Sequence, residues 1–190
     1  MALLILGLIL FLGMHSISII KPGLRTSVVE RFGVIPWQAV YALVSLVGFV
    51  LIVQGYGAAR LSPVVLYDPP TWFRHISLLL MLPVFPLLLA AYLPGRIQTA
   101  VKHPMLLAVK IWAFAHLFPN GTLADLLLFG TFLAWAVADR VSLKHRVGPL
   151  VQGAPPSPIN DAIAIVGGLG LYLLFMFWLH RVLMGVAPIG

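Results

Sequence analysis

Apolar residues run along this chain in six long stretches, and polar positions gather in the short connections between them. The stretches are roughly Ala2–Ile20, Gln38–Ala59, Trp72–Leu93, Pro104–Phe118, Thr122–Ala138 and Asn160–Leu183. A hydrocarbon core about 30 Å thick needs about 20 apolar residues of helix, so these are candidate spans, of which the fourth and fifth are short. Those two flank Phe118-Pro119-Asn120-Gly121, a turn signal that predicts a tight helical hairpin. Pro83 and Pro86 each remove a backbone hydrogen bond inside the third run and predict a kink there. The segment Gly148–Pro158, with four prolines, reads as a linker. The first run has no basic residue before it and no small-residue cleavage site after it, so it is expected to be a retained span and not a signal peptide. The expected fold is all-α: one polytopic helical bundle over residues 1–190, with about six transmembrane helices and no soluble domain.

Composition agrees with the pattern. Of 190 residues, 61% are hydrophobic and 9% charged, and the mean hydropathy is +1.05. Ordinary globular chains have about a quarter of their residues charged. So few charges cannot cover a water-facing surface, which excludes a soluble enzyme, a disordered tail and a nucleic-acid reader. The expected solvent is the lipid bilayer.

The net charge of +7 has no basic stripe behind it; the cations sit between the apolar runs, where they set orientation. Lys21, Arg25, Arg31, Arg96, Lys102, Arg140, Lys144 and Arg146 follow the odd-numbered runs, against Arg60, Arg74 and Arg181 on the other side. Eight against three places the first group in the cytoplasm and both termini outside. The twelfth, Lys110, falls inside the fourth run. The chain has no cysteine, so a metal would be held by His, Met or carboxylate.

Ionisable groups at membrane depth cost several kcal/mol unless partnered, which makes each a functional candidate. His15, His75, His103 and His116 lie in or at the ends of the first, third and fourth runs, while His145 and His180 belong to solvated ends. At a rise of about 1.5 Å per residue, His15 lies roughly 7 Å and His116 roughly 18 Å above the inner surface. On depth alone His15 pairs most easily with His103 and His75 with His116; His15 with His116 is a crossing pair that two imidazoles and a metal can bridge. Trp112, His116 and Asn120 share one helix face. Lys110 either snorkels to the interface or pairs with a buried anionic group. Asp125 either accepts the second N–H of His116 and so orients that ring, or serves as a helix N-terminal carboxylate. Trp37, Tyr67, Trp72, Tyr92 and Trp178 fall near span ends, as interfacial aromatics do.

Several tokens in order resemble one family. They are Gly13-Met14-His15-Ser16, Pro36-Trp37, Tyr41 to Gly48, Trp72-Phe73-Arg74-His75, Lys102-His103-Pro104-Met105, Trp112-Ala113-Phe114-Ala115-His116-Leu117, Asn120-Gly121 and Phe132-Leu133-Ala134-Trp135. Together, over residues 1–140, they resemble the NnrU family, named for association with nitrite and nitric oxide metabolism in denitrifying bacteria. The same superfamily contains 15-cis-zeta-carotene isomerase, an integral membrane haem b protein. The resemblance implies a bacterial cytoplasmic-membrane protein that binds haem b through His15 and His116; the placement of the other polar residues adds His75 and His103 as reserve ligands and Lys110 and Asp125 near the cofactor. It also implies a lipophilic polyene or a redox partner. The isomerase has a cysteine three residues before its second histidine, where this chain has Ala113, so a thiolate switch is impossible here. The alternative is a non-enzymatic accessory or transport protein supporting denitrification, with histidines in structural or proton-handling roles.

Overall fold

The structure, a computed structural model, describes residues 1–146 and 153–189. Residues 148–152 of the expected linker lie outside the described residues. The fold is all-α, with 75% of the chain helical and no strands among the described residues. The helices are α1 (Ala2–Ile20), α2 (Leu24–Phe32), α3 (Val34–Leu61), α4 (Phe73–Met81), α5 (Val84–Ala90), α6 (Arg96–Val101), α7 (Pro104–Leu117), α8 (Leu123–Ser142), α9 (Asn160–Leu174) and α10 (His180–Met184). A π-helical turn, Phe175–Leu179, joins α9 to α10. The helices sort into two compact units, residues 1–68 with 121–146 and residues 69–120 with 153–189.

Among the described residues four stretches are long and apolar enough to cross a membrane: α1, α3, Phe73–Ala90 and Asn160–Met184. Bulky side chains on them face outward, Val166 at 72% and Phe177 at 70% exposure, as lipid-facing positions do. The expected six spans reduce to four by this measure for two physical reasons. Helix α7 has 14 residues, about 21 Å at the helical rise. Helix α8 has 20 residues but carries Asp125, Asp139 and Arg140.

In the first unit α1 packs on α3 and α8. The α1–α3 contact depends on glycine. A Cβ at Gly7 would lie 2.6 Å from the Ile52 nitrogen and one at Gly48 2.7 Å from the Phe11 nitrogen, while at Gly55 it would run into the Leu4 backbone. Helices without a hydrophobic drive between them associate where small residues let backbones approach, and these three positions meet that condition. The pairings run antiparallel, Leu4 beside Gly55 and Phe11 beside Gly48. At the far end of α3 the chain straps back onto α8: the Leu123 N–H donates to the Val64 carbonyl (2.8 Å) and the Leu66 N–H to the Gly121 carbonyl (2.8 Å).

In the second unit the prolines act as the sequence indicates. The run from Trp72 breaks between α4 and α5. Because Pro83 has no N–H for the Leu79 carbonyl, that carbonyl takes the Leu82 N–H (3.3 Å). The Leu78 carbonyl, which Leu82 would otherwise serve, accepts the Tyr172 hydroxyl instead (3.0 Å). Pro119 likewise leaves the Ala115 carbonyl short of a donor, and the buried Ser77 hydroxyl supplies one at 2.7 Å. Each broken backbone bond is thus repaired by a side chain of a neighbouring helix. Tyr172→Phe is expected to lower stability by about 1 kcal/mol, read as an earlier midpoint in denaturation of the detergent-solubilised protein. Gly168 permits this packing, since a Cβ there would meet the Pro86 backbone. Val84, Leu87 and Ala108 form the core of the unit, with Ile111 and Trp112 against it.

Two short helices were not legible as apolar runs. Helix α2 has no buried residue and carries Arg25, Glu30 and Arg31. Helix α6 is held at its N-terminus by Asp161, whose carboxylate accepts the Arg96 (2.9 Å) and Ile97 (3.0 Å) N–H groups. The adjacent, buried Asn160 donates to the carbonyls of Pro94 (2.8 Å) and Pro155 (3.0 Å).

Candidate functional site

Among the described residues no three His, Cys, Asp or Glu side chains gather to hold a metal. The candidate site is therefore built around individual histidines, and the four expected ones differ sharply.

His15 sits in the first unit, half-buried on α1. Its Nδ1 lies 2.7 Å from the Phe11 carbonyl. A carbonyl only accepts, so Nδ1 carries the proton and Nε2 keeps its lone pair in the neutral ring. Phe11 stacks on the imidazole at 4.2 Å between centroids, Tyr41 of α3 stands at 5.3 Å and Trp135 of α8 meets it edge-on at 5.9 Å. Three helices thus wall this ring with aromatic surface. The same junction contains buried polar atoms with no partner among the described residues, the Trp135 indole Nε1 and the Ser45 hydroxyl oxygen. Ser45 lies on α3 between Tyr41, which faces His15, and Gly48, which faces Phe11. An unpartnered buried donor costs about 1–3 kcal/mol, so this is a place where a hydrogen-bonding ligand would be rewarded.

His116 sits in the second unit, half-buried near the end of α7. Its Nδ1 lies 2.8 Å from the Trp112 carbonyl, and the Asn120 amide donates to the His116 carbonyl at 2.8 Å. Trp112 and His116 share a face of α7, whereas the expected third member, Asn120, lies beyond the helix end at Leu117 and reaches His116 through that backbone bond. The tautomer argument applies again: Nδ1 is the proton-bearing nitrogen. The Trp112 ring, four residues earlier, lies 5.5 Å from the imidazole. Both histidines therefore share one local design, an aromatic residue four positions earlier whose carbonyl fixes the ring. Metal-ligating histidines are commonly oriented in this way.

The remaining candidates are placed otherwise. His75 is exposed and lines a small cavity with Thr71, Leu78 and Pro188. His103 is half-buried at the N-cap of α7, after a turn in which Lys102 takes φ +65° and the His103 N–H donates to the Val101 carbonyl (2.8 Å). A positive φ of this kind is strained in a non-glycine residue. Lys110 is half-buried on α7, His145 is exposed, and His180 Nδ1 bonds the Val186 carbonyl (2.7 Å).

Asp125 is buried at 4% exposure. It forms a capping box with Thr122, whose N–H donates to the carboxylate at 2.9 Å and whose hydroxyl does so at 2.6 Å. The Tyr56 hydroxyl donates to the other oxygen at 2.5 Å. These are the partners of a helix N-terminal carboxylate, and Tyr56 is one that spacing cannot reveal.

Sequence reasoning missed the wall around His15. The spacing of Phe11 to His15 was a visible signal, but Tyr41 and Trp135 are brought there only by the packing of α3 and α8. The residues present suit a haem iron in their chemistry. A porphyrin brings four nitrogens of its own and asks the protein for one or two imidazoles, whereas a protein-only metal centre needs three or four clustered ligands.

No curated protein and no solved structure matches the chain. The family model described as NnrU protein does match, over residues 3–188. That range takes in the helices of His15 and His116 and nearly the whole sequence, and the chain belongs to the NnrU family.

Proposed function

We propose that this NnrU protein binds haem b in the bacterial cytoplasmic membrane, with His15 and His116 as ligands, in a role tied to nitrite and nitric oxide metabolism and related to that of zeta-carotene isomerase. The observation that carries the reading is the local design shared by the two rings, each with Nδ1 bonded to the carbonyl four residues earlier. That bond fixes the tautomer and makes Nε2 the ligating nitrogen. When bound, haem would supply redox chemistry or double-bond isomerisation for a lipophilic polyene or a redox partner.

The chain's own residues have separable tasks. Phe11, Tyr41 and Trp135 keep water from His15 and hold its plane. The Trp135 N–H and Ser45 hydroxyl offer hydrogen bonds to a polar edge of the ligand. Lys110 offers a cation to an anionic group. His75 and His103 stand in reserve, and Ala113, buried at 0% exposure, provides no thiolate. With the basic connections in the cytoplasm, both termini lie outside.

The test is an absorbance spectrum of the purified, detergent-solubilised protein expressed with haem supplementation. A Soret band with bis-histidine character is the expected result. Its absence despite supplementation would overturn the reading in favour of a non-enzymatic accessory or transport protein.

A further inference from the structure

The first unit is electrically lopsided. Where α1 and α8 end and α3 begins, it carries Lys21, Arg25, Arg31, Arg140, Lys144 and Arg146 against Glu30 and Asp139. The opposite end has Arg60 against Asp68 and Asp125. At the basic end lies a cavity of about 530 Å³. It is a shallow, open depression whose floor is apolar, formed by Ile19 and Pro22 at the end of α1 and by the exposed Ala138 and Val141 on α8. Its rim is polar, formed by Ser142, His145 and Arg146.

The rim is organised. Arg146 pairs with Asp139, and its Nε–H donates to the Ser142 hydroxyl at 2.8 Å. These contacts hold the guanidinium at the cavity edge and leave it further N–H groups, since Arg has five. Asp139 offsets much of that charge, so the surplus comes from the exposed Lys21 and Lys144 and the half-exposed Arg140, sequence neighbours of the lining residues. A site with an apolar floor, a cationic rim and a position where spanning helices end matches one amphiphile, an anionic phospholipid.

We propose that this cavity binds an anionic phospholipid, its phosphate at the Ser142–Arg146 rim and the start of its acyl chains on Ile19, Ala138 and Val141. A basic pocket at the membrane surface discriminates by headgroup. Phosphatidylglycerol presents an uncompensated phosphate, whereas the choline cation of phosphatidylcholine repels the rim. Free phosphate would satisfy the rim but not the floor.

The test uses the full chain, reconstituted in vesicles of equimolar phosphatidylglycerol and phosphatidylcholine and extracted into mild detergent, with retained lipid counted by native mass spectrometry. Phosphatidylglycerol is expected to be enriched about tenfold on the wild-type protein, the factor that one or two facing cations supply. Ala138→Trp, which fills the floor, and the double variant Lys21→Gln with Lys144→Gln, which removes the exposed cations of the rim, are each expected to bring the ratio near one. Circular dichroism checks that each variant is folded; Val141→Trp replaces Ala138→Trp if that protein does not fold. Equal retention of the two lipids by the wild type overturns the proposal. So does enrichment that survives filling the floor, because surface charge alone would then select the lipid, and so does enrichment that survives discharging the rim.

Discussion

Alanine at His15 or at His116 is expected to strip the protein of its six-coordinate haem signal, with haem affinity falling by more than about 100-fold. That exceeds the roughly 10- to 100-fold typical of losing a residue that only orients a ligand. The chain has no cysteine to take the vacated position, and methionine is a soft substitute at best. Replacement of His75 or His103 is expected to leave the spectrum intact, since one is exposed and the other sits at a helix cap. The exposed His145 serves as the control. If His75→Ala and His116→Ala lose haem while His15→Ala keeps it, the ligand pair is His75 with His116. If His15→Ala and His116→Ala both keep the wild-type spectrum, neither histidine ligates iron.

The second large effect concerns stability. Gly55→Val is expected to destabilise the protein by about 2–3 kcal/mol, because its side chain must occupy space held by the Leu4 backbone and neither helix can yield locally. The control lies two residues away on the same helix. A Cβ at Gly57 meets nothing within 4 Å, so Gly57→Ala is expected to be neutral or to stabilise by about 0.5–1 kcal/mol through helix propensity. Denaturation midpoints of the two variants in one detergent measure the contrast. Equal midpoints would show that α1 and α3 do not pack through their backbones.

This contrast also shows what the sequence made legible. Hydropathy located α1 to the residue and α3 to within a few residues, because lipid exposure demands unbroken apolar helix. Pro83 marked the break between α4 and α5, since a missing N–H is visible in the sequence itself. Helices α2 and α6 escaped because they are short and not apolar runs: α2 ends at Gly33, where φ is +90°, and α6 is held at its start by Asp161. Four of the six expected spans meet the measure of length and composition among the described residues, because α7 is apolar but short and α8 is long but charged. For the site, the carbonyl anchors of His15 and His116 follow from helical spacing alone. The Tyr41 and Trp135 walls do not, since Tyr41 depends on where glycines let α3 approach α1 and Trp135 on how α8 packs against α1. Asp125 illustrates the same limit, with a bonding partner 69 positions away in sequence.

Ligation of haem by two histidines is tested most directly by low-temperature electron paramagnetic resonance of the purified ferric protein, with haem content determined on the same sample. The expected result is one haem per chain in the low-spin state of two axial imidazoles, converted to high-spin or lost in His15→Ala and in His116→Ala. A wild-type protein that retains no haem, or one whose high-spin signal is unchanged by either substitution, would contradict it.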